Sequence, residues 1–166
     1  MDVSQLDRAT PDEFIGAVAP LFEGAPRFLA RLAGDRPFGT EETMFRRAEE
    51  MALGMPEEEQ IELIDAHPRL GAPPAAVSAL SHVEQGYDRD TTTALDELER
   101  LNDQYERRFG FRYCVFVNGR SRAQLVPALR DALQADRGSE IRRALRDVVA
   151  IARDRYRRRR EGVGAA

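Results

Sequence analysis

The chain has no lysine; all 25 of its fixed positive charges are arginine. A lysine Schiff-base mechanism is therefore excluded. Tryptophan is also absent, and cysteine occurs once, as Cys114. One cysteine can form neither a disulfide within the chain nor a thiolate zinc cluster. Cys114 lies in the apolar run 113–117 and reads as a small buried hydrophobe. No apolar stretch approaches the length of a membrane span, and the first residues lack the basic and apolar regions of a signal peptide. The expectation is a cytoplasmic protein with no membrane partner. A net charge of −4 gives no general attraction to nucleic acid either.

What is present is globular: 166 residues, 42% hydrophobic and 33% charged. That length supports one domain with a real core. Helix signals dominate. Thr10 to Glu13 form a capping box with Pro11 at the first helical position. Pro26 opens a short helix carrying Phe28, Leu29 and Leu32. Thr40 caps another, with Met44, Phe45, Ala48, Met51 and Ala52 at helical spacing. Pro56 reads as the first residue of a helix reaching Ala66, and Glu57, Glu58 and Glu59 complement its dipole. A long helix is expected from Thr91 to Phe109. Asn102 interrupts its apolar side, either as a satisfied core amide or as a group facing a pocket.

Residues 111–117 are aromatic or β-branched and extended by propensity. With no partner strand, they predict a buried extended segment between helices, whose backbone groups need partners, a ligand among them. Ser121 and Gln124 form a capping box, and Pro127 predicts a kink or a delayed start. Gly138-Ser139 is expected to start the last helix, with Val148, Ala152 and Tyr156 facing inward. The result is an all-α, single-domain bundle of seven to eight helices over residues 1–166. A frayed basic tail is expected at 157–166.

The chemistry gathers between Ile61 and Gln85. His67 precedes Pro68, which disfavours helix at that residue, so the ring is expected at a helix exit. The negative end of the helix dipole there favours imidazolium. A loop rich in glycine and proline leads to Ser81, His82, Glu84 and Gln85. Such a loop suits a small polar ligand; equally, His67 can simply cap its helix and Glu84 can be a solvated carboxylate. The C-terminal arginines complement their helix dipole, or one of them folds over an anionic ligand.

Four blocks together resemble one family: Ala66-His67-Pro68-Arg69-Leu70-Gly71, Ser81-His82-Val83-Glu84-Gln85-Gly86, Leu101 to Tyr105 leading into Phe109-Gly110-Phe111, and Glu140 to Arg155. The family is 2-oxo-4-hydroxy-4-carboxy-5-ureidoimidazoline (OHCU) decarboxylase, and the resemblance covers nearly the whole chain. It implies an all-helical fold, a homodimer, no metal or organic cofactor, and release of CO2 from OHCU to give (S)-allantoin in urate breakdown. It implies His67, Glu84 and Arg155 as catalytic residues, with Arg153 the competing register for the arginine and His67 viewed as a proton donor. Pro68, Ser81, Gln85, Phe111, Tyr113, Val115 and Val117 are the implied substrate-binding positions.

Three positions depart from the family pattern. Aspartate often stands where Arg69 does, EQ is followed here by Gly86-Tyr87, and FGF by Arg112-Tyr113. Tyr87 and Arg112 flank the expected pocket. They motivate one alternative, a related ureido or imidazoline acid as substrate; a second alternative, from a different class, is a ligand-binding or regulatory module that keeps the pocket without turnover.

Overall fold

The computed structural model describes residues 1–71 and 92–164. The expected site residues Ser81, Glu84 and Gln85, and Tyr87 with them, lie outside the described residues. Among those described, eight α-helices and one 3-10 turn occur in order, with no strand. They are α1 (Val3–Arg8), α2 (Pro11–Val18), the 3-10 turn (Ala19–Leu21), α3 (Pro26–Gly34), α4 (Glu41–Gly54), α5 (Glu57–Asp65), α6 (Thr92–Phe109), α7 (Arg122–Ala132) and α8 (Arg137–Gly164).

The long α8 is the axis of the bundle. It packs against α4, α5 and the 3-10 turn, while α6 pairs with α7 and α3 touches α2, α4 and α5. Its inward side is Ile141, Ala144, Leu145, Val148, Val149, Ala152 and Tyr156, all buried. These residues join Phe14, Phe22, Phe28, Leu63, Ile64, Leu98 and Leu125 in one core. Most helix starts follow their local chemistry. Thr10 with Glu13, and Ser121 with Gln124, make reciprocal capping boxes, and the Thr40 side chain accepts from the Thr43 N–H.

Several boundaries differ from expectation. Pro56 sits at the N-cap rather than the first helical position of α5. Helix α8 starts earlier than Gly138-Ser139 implies, because the Asp136 carboxylate accepts from the Ser139 N–H at 2.9 Å and from its hydroxyl at 2.6 Å, and so acts as the cap. Helix α7 starts directly after Ser121 and carries Pro127 inside it, so the start is not delayed. The basic segment expected to fray continues α8 to Gly164. Arg153, Arg157 and Arg160 converge on Glu41 at the start of α4, at 3.7, 2.6 and 3.6 Å. One exposed pair contributes little; three on one carboxylate hold this end of α8 against α4.

Candidate active site

His67 lies two residues beyond the end of α5, and its N–H still donates to the Ile64 carbonyl at 3.1 Å. Pro68 then turns the chain away. The ring folds back into the protein and is only 3% exposed. Its Nδ1 lies 3.2 Å from the Leu63 carbonyl oxygen. A carbonyl only accepts, so Nδ1 carries the hydrogen and Nε2 presents a lone pair in the neutral ring. That Nε2 is buried without a hydrogen-bond partner among the described residues.

The turn carrying His67 is held from three sides. The Arg112 N–H donates to Asp65 Oδ1 at 2.8 Å, and its guanidinium donates to the Asp65 and His67 carbonyls at 2.9 and 3.3 Å. Arg69 reaches α6, pairing with Asp103 and with Glu106 at 3.3 Å. Asn102 donates from Nδ2 to the Leu70 carbonyl at 2.7 Å. Asn102 is buried in the core and does not line the cleft; its Nδ2 bond closes the turn next to the site, while its Oδ1 has no partner among the described residues.

His67, Pro68 and Leu70 form one wall of a cleft of about 520 Å³, counted to its open mouth. Residues 113–119 form a second wall, and Ile151, Asp154, Arg155 and Arg158 of α8 a third. Ile151, Asp154, Arg155 and Arg158 follow i, i+3, i+4, i+7 spacing, so one helix face supplies all four.

Arg155 is 1% exposed. It donates to the Pro20 and Leu21 carbonyls at 3.1 and 3.2 Å and to Glu23 Oε1 at 2.9 Å. Arg153 points elsewhere; its side chain is 41% exposed and pairs with Glu41. At the end of α8, Arg155 lines the cleft with His67, and Arg153 does not.

The 111–117 strap is non-helical and largely buried, and α8 bonds two of its backbone groups. Arg143 donates to the Cys114 carbonyl at 2.8 Å, and Asp147 Oδ2 accepts from the Phe116 N–H at 3.1 Å. Arg143 also binds Glu140 Oε2 at 3.0 Å, which accepts from the Tyr105 hydroxyl at 2.7 Å. Burial pushes the Tyr113 phenol up to about 12, so it stays protonated at neutral pH.

Electrostatics reverse the expected state of His67. Burial first, and the Arg155 guanidinium second, bring the ring down to about 4 from its ordinary 6.5. The Leu63 carbonyl and Glu23 act in the opposite direction and are outweighed. The helix dipole was expected to favour imidazolium. Its contribution fails because the ring is taken out of water beside a cation. Burial and Arg155 together therefore favour the neutral imidazole, in which Nε2 is an acceptor.

A model of the OHCU decarboxylase family matches residues 7–157 of this chain. The chain belongs to that family. It is 28% identical over 155 residues to 2-oxo-4-hydroxy-4-carboxy-5-ureidoimidazoline decarboxylase of Halalkalicoccus jeotgali, covering 92% of this chain and 88% of that protein. It is 27% identical to the uric acid degradation bifunctional protein of Bacillus sp. strain TB-90, covering 92% of this chain but only 31% of that longer protein. A crystal structure of OHCU decarboxylase in the presence of (S)-allantoin superposes with a TM-score of 0.70 at 21% identity, covering 84% of this chain and 93% of that one. The all-helical family fold is therefore the fold of this chain.

Of the family-implied positions, His67, Pro68, Tyr113, Val115, Val117 and Arg155 line one cleft. Phe111 does not. Its ring packs on Tyr105 and Phe109 at centroid distances of 5.7 and 6.0 Å, because an aromatic cluster inside the bundle captures it first. Arg112 grips backbone rather than facing the cleft, so it no longer motivates a different substrate.

Residues 118–119 and Glu23 were missed. Asn118 and Gly119 line the cleft where the strap ends, and both have positive φ, 48° and 76°. Glu23 left no mark in sequence, because its partner comes 132 residues later.

Proposed function

We propose that this protein decarboxylates OHCU to (S)-allantoin in urate breakdown. The observation that carries this reading is one cleft lined by both a buried His67, whose Nε2 has no partner among the described residues, and a buried arginine, in a chain that matches the family along nearly its whole length. Relatives named for OHCU decarboxylation and for uric acid degradation support it.

In OHCU the carboxylate and a hydroxyl share C4, and C5 carries the ureido group and the ring C=N bond. Breaking the C4–CO2 bond leaves an electron pair that forms C4=C5 and charges the ring nitrogen, which takes a proton from solvent. The C4 hydroxyl then becomes the carbonyl as its proton is moved to C5. A neutral His67 is suited to both halves of that last step: Nε2 takes the hydroxyl proton and returns it to one face of C5, giving a single hand. The family view of His67 as donor fits the second half.

Arg155 attracts the substrate anion and steadies developing charge. Gripping the carboxylate too tightly would favour the ground state. Glu84 orients the hydroxyl, Ser81 and Gln85 hold the ring and ureido group, and Pro68, Tyr113, Val115 and Val117 enclose them. The substrate holds its own electron pair, so the scheme needs no metal or organic cofactor. We place the reaction in the cytoplasm, in a homodimer whose subunits are single domains. Among the described residues no helix is long and apolar enough to cross a membrane.

The test generates OHCU in situ from urate and follows the circular dichroism of allantoin. The protein should give (S)-allantoin alone, and His67→Ala and Glu84→Gln should lose the rate. No acceleration by the unaltered protein would refute the reading; binding without turnover would instead mark a ligand-binding module.

A further inference from the structure

Arg155 is charged, long and almost wholly buried, and such a group needs compensation inside the protein. Among the described residues, one short piece of chain supplies compensation. The 3-10 turn supplies the Pro20 and Leu21 carbonyls, and the next residues supply the Glu23 carboxylate at 2.9 Å. Glu23 has φ 53°, a left-handed backbone that a side-chain-bearing residue adopts at a cost, and Gly24 follows at φ 85°. The result of that conformation is a carboxylate turned inward, 14% exposed, onto a guanidinium that lines the cleft beside His67.

We propose that Glu23 is the positioning residue for Arg155: it fixes the direction of the guanidinium and offsets its charge beside His67. The proposal rests on the cleft being the site of decarboxylation. A naked buried cation would hold the substrate carboxylate in its ground state and would discourage His67 from accepting a proton. A cation half neutralised by Glu23 still attracts the anion without clamping it. The charged groups that act on the ring among the described residues are Arg155 and Glu23; Asp154 and Arg158, 2.7 Å apart, line the same cleft, and Arg112 holds the His67 carbonyl at 3.3 Å. Glu23 is the one that raises the ring's proton affinity against Arg155.

The test is Glu23→Gln in the full chain, with Glu23→Asp beside it. Two readouts are taken: kcat and KM for OHCU, and the titration of the His67 ring nitrogens by NMR in the free protein. Gln keeps the size but removes the charge. The expected result is kcat lower by about tenfold or more, KM unchanged or lower, and the His67 midpoint moved to lower pH. Asp restores the charge on a shorter arm, so the midpoint should return towards its original place while kcat recovers only in part. If the Gln variant does not fold, the Asp variant decides: an unchanged kcat would overturn the proposal.

A lower melting temperature with kcat and the His67 midpoint unchanged would overturn it too, since Glu23 would then be only structural. If the unaltered protein does not decarboxylate OHCU, the functional reading falls. The ring titration still decides whether Glu23 sets the charge at this site.

Discussion

Acidifying the free protein forces a proton onto a ring that is both buried and next to Arg155. The ring's proton affinity is depressed in the folded state, to about 4 from 6.5. Between those values the unfolded chain binds the proton and the folded one does not, so stability rises with pH across that window. The His67 contribution is complete above about 6.5 and is lost as pH falls towards 4. In full it corresponds to about 3 kcal/mol, most of it gone by pH 4.5.

Other groups titrate over the same range, so the assay compares two proteins. His67→Asn keeps a donor for the Leu63 carbonyl but cannot titrate. Urea unfolding at pH 7 and at pH 4.5 should show the original protein losing about 2–3 kcal/mol more than the variant. NMR at pH 7 should show the neutral ring with its hydrogen on Nδ1. Equal pH dependence in the two proteins, or a ring midpoint at or above 6.5, would refute the reasoning. It would place a carboxylate nearer the ring than Arg155 is.

Asn102→Leu removes the donor to the buried Leu70 carbonyl and should cost about 1–3 kcal/mol in urea unfolding. Because that bond closes the turn carrying His67, kcat should fall as well; a loss of stability with kcat intact would uncouple the two. Arg155→Gln should lower kcat/KM by about a hundredfold or more, whereas Arg153→Gln, two residues away and paired with Glu41 at the surface, should change it by less than about twofold. A larger effect at Arg153 would reverse the assignment.

The helices were readable because their signals are local. Thr10-Pro11, Pro26, Thr40 and Ser121 mark starts through hydrogen bonds that span three residues, and the apolar stripes repeat at the helical period. His67-Pro68 was readable for the same reason, since proline restricts its immediate neighbour. Where local rules compete, the boundaries moved: Asp136 outcompeted Ser139 as a cap, and Pro127 was absorbed inside α7. The whole-chain motif pattern also carried the family, because four blocks in one order are jointly specific.

The electrical character of the site was not readable. Whether Arg155 or Arg153 faces His67 depends on which side of α8 packs against the 3-10 turn, a matter of about 200° of helix rotation between the two. The proton state of His67 depends on how much water the bundle removes and on a cation from another helix, and these outweigh the dipole of its own helix. Sequence alone determined most of the helical units and the caps at Thr10, Thr40 and Ser121, since those rest on neighbours along the chain. Only the tertiary structure decided that burial and a cation depress the proton affinity of the imidazole, that Arg155 shares its cleft, and that Glu23 pairs with Arg155, because desolvation and Coulomb forces act through space between residues far apart in the chain.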